Sequence, residues 1–209
     1  MLAYPKGNAL EFLTRRQRPH GEPRKEVYCV GNCPVLSGGG RNGERMARKV
    51  FFSFHYERDA QRAAVVRNHA VTKDGDDEAG YVDKAAWESI EKGGEAAIKK
   101  WIAEQLKGTS VSVVLIGPET CTRKWVKYEL QESYARGNGL LGVTLHNIKD
   151  FNGKTDTAGS TSFGLLGKDK NGSDVYFASV AKTYDWISNN GYENFGKWVE
   201  EAATAASKR

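Results

Sequence analysis

Six residues near the middle of the chain, Val111-Ser112-Val113-Val114-Leu115-Ile116, form a nearly unbroken apolar run that ends at Gly117-Pro118. A strand with one wet face alternates apolar and polar residues, so a run without alternation needs cover on both faces. Helices on either side of a parallel sheet supply that cover. The flanking segments fit this demand. Lys49 to Phe54 contains Val50-Phe51-Phe52-Ser53-Phe54, whose β-branched and aromatic content suits a buried first strand. Residues 59–70 carry Ala60, Ala63, Ala64 and Val66 near helical spacing, continued by Val71, with Asp59 placed to cap or begin the helix.

A polar stretch from Thr72 to Glu78 leads to a brief strand candidate, Gly80-Tyr81-Val82-Asp83. Residues 94–107 place Ala97, Ile98, Trp101, Ile102 and Leu106 on one face of an amphipathic helix that Gly108 ends. After the central strand, a helix from about Arg123 to Arg136 and a strand from Gly139 to His146 complete the alternation. Strand, helix, strand, helix, strand with right-handed crossovers describes a flavodoxin-like α/β fold, an open parallel sheet flanked by helices.

Residues 1–45 combine Arg15-Arg16-Gln17-Arg18-Pro19, Pro23, Pro34 and Gly38-Gly39-Gly40 without a sustained period, and read as a disordered extension. A start assigned ahead of Met46 would produce the same pattern, and a basic tether to anionic surfaces is the alternative. The folded domain is expected over 46–209. Within it, residues 149–180, rich in Gly, Asp, Lys and Ser, read as a long irregular excursion with a short strand near Val175-Tyr176-Phe177. A last amphipathic helix, or a broken pair, is expected over 183–205, with Tyr184, Trp186, Ile187, Phe195, Trp198 and Val199 facing inward.

The net charge of +5 suggests nucleic acid until its distribution is examined. Residues 1–45 hold eight Lys/Arg against four Asp/Glu, and the remaining residues hold 23 against 22. The folded part is therefore nearly neutral and has no basic footprint for nucleic acid. Three cysteines, Cys29, Cys33 and Cys121, make no disulfide framework, and Cys29 with Cys33 supplies two of the four ligands of a structural zinc. Free thiols, no secretory signal and no apolar run of membrane-spanning length lead to the expectation of a cytoplasmic protein without a membrane partner.

Open parallel sheets bind ligands at the carboxyl ends of their strands, which directs attention to the loops after Phe54, Val82 and Ile116. A flavodoxin phosphate loop wants small residues where this chain has His55-Tyr56-Glu57-Arg58, and a phosphoacceptor receiver wants an Asp where it has Gly117-Pro118-Glu119. The helix after the central strand is more informative. Val126, Leu130 and Tyr134 make one row, and Trp125 and Glu129 make the adjacent row, rotated by about 100°. That row can bring a stacking ring and a carboxylate to one pocket beside the core. Taken alone, a Glu on a helix flank is most often a solvated charge.

Val50 to Asp59, with Phe51-Phe52-Ser53-Phe54, resembles the opening strand and helix of TIR domains, and Trp125-x-x-x-Glu129 resembles the element carrying the catalytic Glu in their NAD-cleaving members. Order and spacing agree over about residues 48–146. Val71-Thr72-Lys73, Arg123 to Glu129 and Tyr184-Asp185-Trp186 are similar to the TIR-like family of bacterial Thoeris antiphage systems and extend the likeness to about Val199.

The resemblance implies an enzyme that releases nicotinamide from NAD and forms ADP-ribose or a cyclic isomer. NAD is its substrate, and neither a resident cofactor nor a metal is called for. In Thoeris systems the cyclic product activates a separate effector protein, and TIR domains also self-associate through their surfaces. Glu129 is implied as the catalytic residue, with Trp125, Ser53, Phe54 and His55 lining the substrate pocket. His55 has a plain alternative as a strand-end histidine bonded to backbone. Departures are Val126, where many TIR domains carry Cys, and an unfamiliar stretch around Trp87-Glu88 in place of the usual loop after the second strand. The competing readings are a non-catalytic TIR-type interaction module and a nucleoside-transferring enzyme on a similar sheet.

Overall fold

The structure, a computed structural model, describes residues 31–36, 47–71 and 89–209. Its main sheet has five strands in the order β1 (Gly31–Leu36), β2 (Ala47–Phe54), β3 (Val111–Ile116), β4 (Gly139–Thr144) and β7 (Lys182–Asp185). β2, β3, β4 and β7 run parallel, and β1 lies antiparallel along β2. Every residue of β3 is buried, as its apolar run requires.

Alternation along the strands sorts two faces. Val50, Phe52, Phe54, Val113, Leu115 and Val143 face α1 (Tyr56–Val71) and α5 (Gly191–Ala206), where they meet Ala63, Val66, Phe195, Trp198 and Val199. Phe51 faces the other way, toward Ile98 and Ile102 of α2 (Gly94–Gln105), Leu106 just after it, and Trp125 of α3 (Lys124–Ala135). Val114, Ile116 and Leu140 join Val126 and Leu130 of α3 on that side. The parallel sheet flanked by helices is thus the α/β architecture expected from the sequence.

Several boundaries differ from the sequence expectation. Residues 31–36 fall inside the segment read as disordered, yet they form β1. An edge strand is the position that tolerates Pro34, because its missing N–H need not enter the ladder. α1 begins at Tyr56 instead of 59, so Asp59 sits in its first turn and is not the residue before it. Residues 183–185, expected in a helix, belong to edge strand β7 on β4, and the last helix begins at Gly191 after Asn190 in the left-handed conformation (φ 50°). Trp186, Phe195, Trp198 and Val199 are buried as expected, whereas Ile187 is exposed. The strand candidate at Gly80-Tyr81-Val82-Asp83 and the Trp87-Glu88 stretch lie outside the described residues, as do Cys29 and the extension before Gly31.

The excursion is more ordered than its composition implies. It contains a two-stranded ladder, β5 (Leu165–Lys168) with β6 (Asp174–Tyr176), followed by the short helix α4 (Phe177–Val180). Phe163, Leu166 and Phe177 pack onto α3, and Gln131 Nε2 donates to the Leu165 carbonyl at 2.9 Å. At its start, the buried Arg62 of α1 donates to the carbonyls of Ile148 (2.8 Å) and Lys154 (3.0 Å) and to Asp156 (3.3 Å). One guanidinium therefore satisfies loop backbone that lacks a ladder of its own.

β4 begins where α5 crosses it closely. A Cβ added to Gly139 would lie 2.5 Å from the backbone carbonyl of Ala202, so Gly139→Ala has to push the helix off the sheet. The expected cost is about 1–3 kcal/mol, read as a lower urea midpoint with an unchanged slope.

Candidate active site

α3 crosses the sheet face that carries Ser53 and Val114, and Glu129 lies at its middle. The carboxyl is 1% exposed, and Ser53 Oγ donates to its Oε2 at 2.5 Å. Among the described residues, its Oε1 has no hydrogen-bond partner. The solvated charge that is usual at such a position is thus not what this chain has. The helix backbone here is fixed by a polar seam: Ser133 Oγ donates to the Glu129 carbonyl at 2.6 Å, and Ser112 Oγ donates to Ser133 Oγ at 2.7 Å. Ser112 is the one polar residue in β3, and the seam accounts for it.

Burial raises the Glu129 carboxyl to about 8, outweighing the lowering by the Ser53 hydroxyl, so it holds its proton at neutral pH. A second buried carboxyl, Asp59, is raised to about 6, again chiefly by burial. Thr120 Oγ1 donates to it at 3.2 Å while accepting from the Gly117 N–H at 2.8 Å. Gly117 has no room for a side chain, because a Cβ there would stand 2.2 Å from the Asp59 carboxyl oxygens. Asp59, Gly117 and Thr120 thereby lock the start of α1 to the end of β3.

The remaining sequence candidates divide. Trp125 is 6% exposed and packs with Phe51, Ile98, Ile102 and Leu106, edge-on to Tyr128 at 5.8 Å between ring centroids, so its first role is in the core. His55 is buried at the end of β2, directly before α1. Phe54 points to the opposite face from Ser53, with the Arg67 guanidinium 5.9 Å from its ring centroid, because adjacent strand residues alternate. Ser53 and Phe54 are the last two residues of β2. The structure therefore brings Ser53 to Glu129 and carries Phe54 away from it.

Two polar groups at the strand ends were not singled out from sequence. At the ends of β4 and β7, Asp185 Oδ2 accepts from Thr144 Oγ1 (3.0 Å) and Asn147 Nδ2 (3.1 Å), with His146 Nδ1 at 3.5 Å. Between α1 and α3, Glu119 pairs with Arg58 at 3.2 Å and with Arg123, and Arg58 also donates to Asp156 at 3.0 Å. Neither group has a motif, since its members meet only across separate connections. Among the described residues, no helix is long and apolar enough to cross a membrane.

The raised carboxyl has a consequence for stability. The unfolded chain releases the Glu129 proton near 4.5, whereas the folded protein keeps it to about 8. Between those values the native state binds more protons, so stability falls as pH rises, by about 1.4 kcal/mol per pH unit from this group, and levels off above 8. Glu129→Gln removes that slope. The thermal midpoint of the variant relative to wild type should climb steadily from pH 5 to 8; a constant difference would show that Glu129 titrates normally.

Residues 51–150 match the family described as Thoeris protein ThsB, TIR-like domain. A protein of Bacillus cereus (strain MSX-D12) named "Putative cyclic ADP-D-ribose synthase ThsB1" is 33% identical over 191 residues, an alignment covering 74% of this chain and 100% of that protein. The matched region holds β2 from Phe51, α1, β3 and α3, and with them both Ser53 and Glu129. This chain belongs to the TIR-like family of the Thoeris protein ThsB.

Proposed function

We propose that this protein cleaves the nicotinamide–ribose bond of NAD and closes the product into a cyclic ADP-ribose isomer that serves as a signal to a separate effector protein in antiphage defence. The observation that carries the reading is the buried Glu129 carboxyl, which among the described residues is hydrogen-bonded by Ser53 alone, on the face of a parallel sheet. A carboxyl with a fully satisfied or solvated environment would be structural. This one is desolvated, and it gains most from a positive charge placed beside it.

NAD brings that charge. Its nicotinamide is a cationic leaving group, so the glycosidic bond breaks with its electron pair going to the ring, which departs neutral. Positive charge then develops on the ribose. An approaching cation lowers the Glu129 pKa, the carboxyl gives up its proton to solvent as NAD binds, and the resulting carboxylate stabilises the oxocarbenium-like state, as in glycoside hydrolysis. Attack by the adenine or by a ribose hydroxyl closes the ring and releases one proton, which Glu129 can accept; attack by water gives linear ADP-ribose instead. Ser53 positions the carboxylate, and Trp125 and His55 are the neighbouring groups that can border the nucleotide. The protein acts on NAD as substrate, and the chemistry calls for no further cofactor.

Mass spectrometry of nucleotides from cells expressing the chain under phage challenge tests the proposal. Wild type should deplete NAD and accumulate nicotinamide with an ADP-ribose isomer, and Glu129→Gln should reduce product by at least about a hundredfold. An interaction module would leave NAD intact in both, and equal product from the variant would remove Glu129 from the chemistry.

A further inference from the structure

We infer that Arg58 and Arg123 form the clamp for the diphosphate of the dinucleotide, with Glu119 as an internal carboxylate that bridges them when no diphosphate is bound. The inference rests on the NAD-cleavage reading for the identity of the ligand. Arg58 lies in the first turn of α1 and Arg123 at the N-cap of α3, so both stand at the carboxyl edge of β2 and β3, where open parallel sheets place ligands. Glu119, two residues beyond Gly117 at the end of β3, reaches Arg58 through Oε1 (3.2 Å) and Arg123 through Oε2. One carboxylate with an oxygen on each of two guanidiniums, contributed by different helices, has the arrangement that a bridging anion requires.

Exposure separates these residues from the structural arginine beside them. The Arg58, Glu119 and Arg123 side chains are 40%, 33% and 16% exposed, with Arg58 also on Asp156 at 3.0 Å, whereas the Arg62 side chain is 8% exposed and committed to the carbonyls of Ile148 and Lys154. Glu119 is therefore able to swing out in favour of a more highly charged anion, and Arg62 stays in place with Asp156. The spacing also suits the substrate. Arg123 precedes Glu129 on one helix by about 9 Å of axial rise, the scale of a ribose and its linkage to phosphorus. With the anomeric carbon at Glu129, the diphosphate falls at the N-terminal end of α3, between the two arginines.

The test compares NAD with nicotinamide riboside, which has the same scissile bond and no phosphate, and adds equilibrium binding of ADP-ribose. Arg58→Gln/Arg123→Gln should raise KM for NAD about tenfold to a hundredfold with kcat nearly unchanged, and should leave nicotinamide riboside turnover as in wild type. Glu119→Gln should lower KM for NAD, a gain that misfolding cannot imitate. ADP-ribose affinity should fall and rise in the same order. The clamp is overturned if the double variant binds ADP-ribose as wild type does, if wild type binds none, if both substrates lose equally, or if Glu119→Gln gives no gain in KM or in ADP-ribose affinity. Arginine-dependent ADP-ribose binding by a wild type that cleaves no NAD would instead sink the cleavage reading and leave the clamp standing.

Discussion

The burial of β3 on both faces is the constraint from which the site follows. With no solvated face, the strand requires helices above and below, and α3 is the helix laid over the Val114 and Ile116 side. α3 is then enclosed in turn by α2 and by the excursion through Phe163, Leu166 and Phe177. A glutamate at its middle has nowhere to meet water. Ser53, projecting from β2 onto the same face, donates a hydrogen bond to it.

This arrangement stores free energy in a form that substrate binding can use. An isolated buried carboxyl stays neutral because ionising it in low dielectric is costly. A ribosyl cation forming against it would relieve that cost and would itself be stabilised, so the charge pair is worth most at the transition state. Asp59, buried at the neighbouring strand end, has a different task. Its Oδ2 accepts from Thr120, and Gly117 leaves no room for a side chain beside it, which ties α1 to β3 at the strand end.

The core of this account was legible in the sequence because periodicity reports burial directly. The apolar run at 111–116 and the spacing of Val126 and Leu130 expose the sheet and the helix above it. The Trp125–Glu129 row could be placed beside the core, but its depth could not, since the helix is flanked by Ile98 and Ile102 on one side and by Phe163, Leu166 and Phe177 on the other, all from segments remote in sequence. β1 and β7 were missed for a related reason: edge strands have only one paired side, and Pro34 and Asp185 are tolerated there. Phe54 was grouped with Ser53 by adjacency along the chain, where alternation sends the two to opposite faces. The Arg58–Glu119–Arg123 group joins three connections and leaves no local signature.

The central claim is that Glu129 rests as a neutral buried acid and becomes a carboxylate against the cationic ribose. Its side-chain carboxyl can be followed by carbon-13 NMR from pH 4 to 9, with and without a carbocyclic NAD analogue that keeps the nicotinamide cation but cannot be cleaved. The account expects a midpoint near 8 in the free protein and a markedly lower one with the analogue bound. A midpoint near 4.5 in the free protein, or one that the cation does not move, would contradict it.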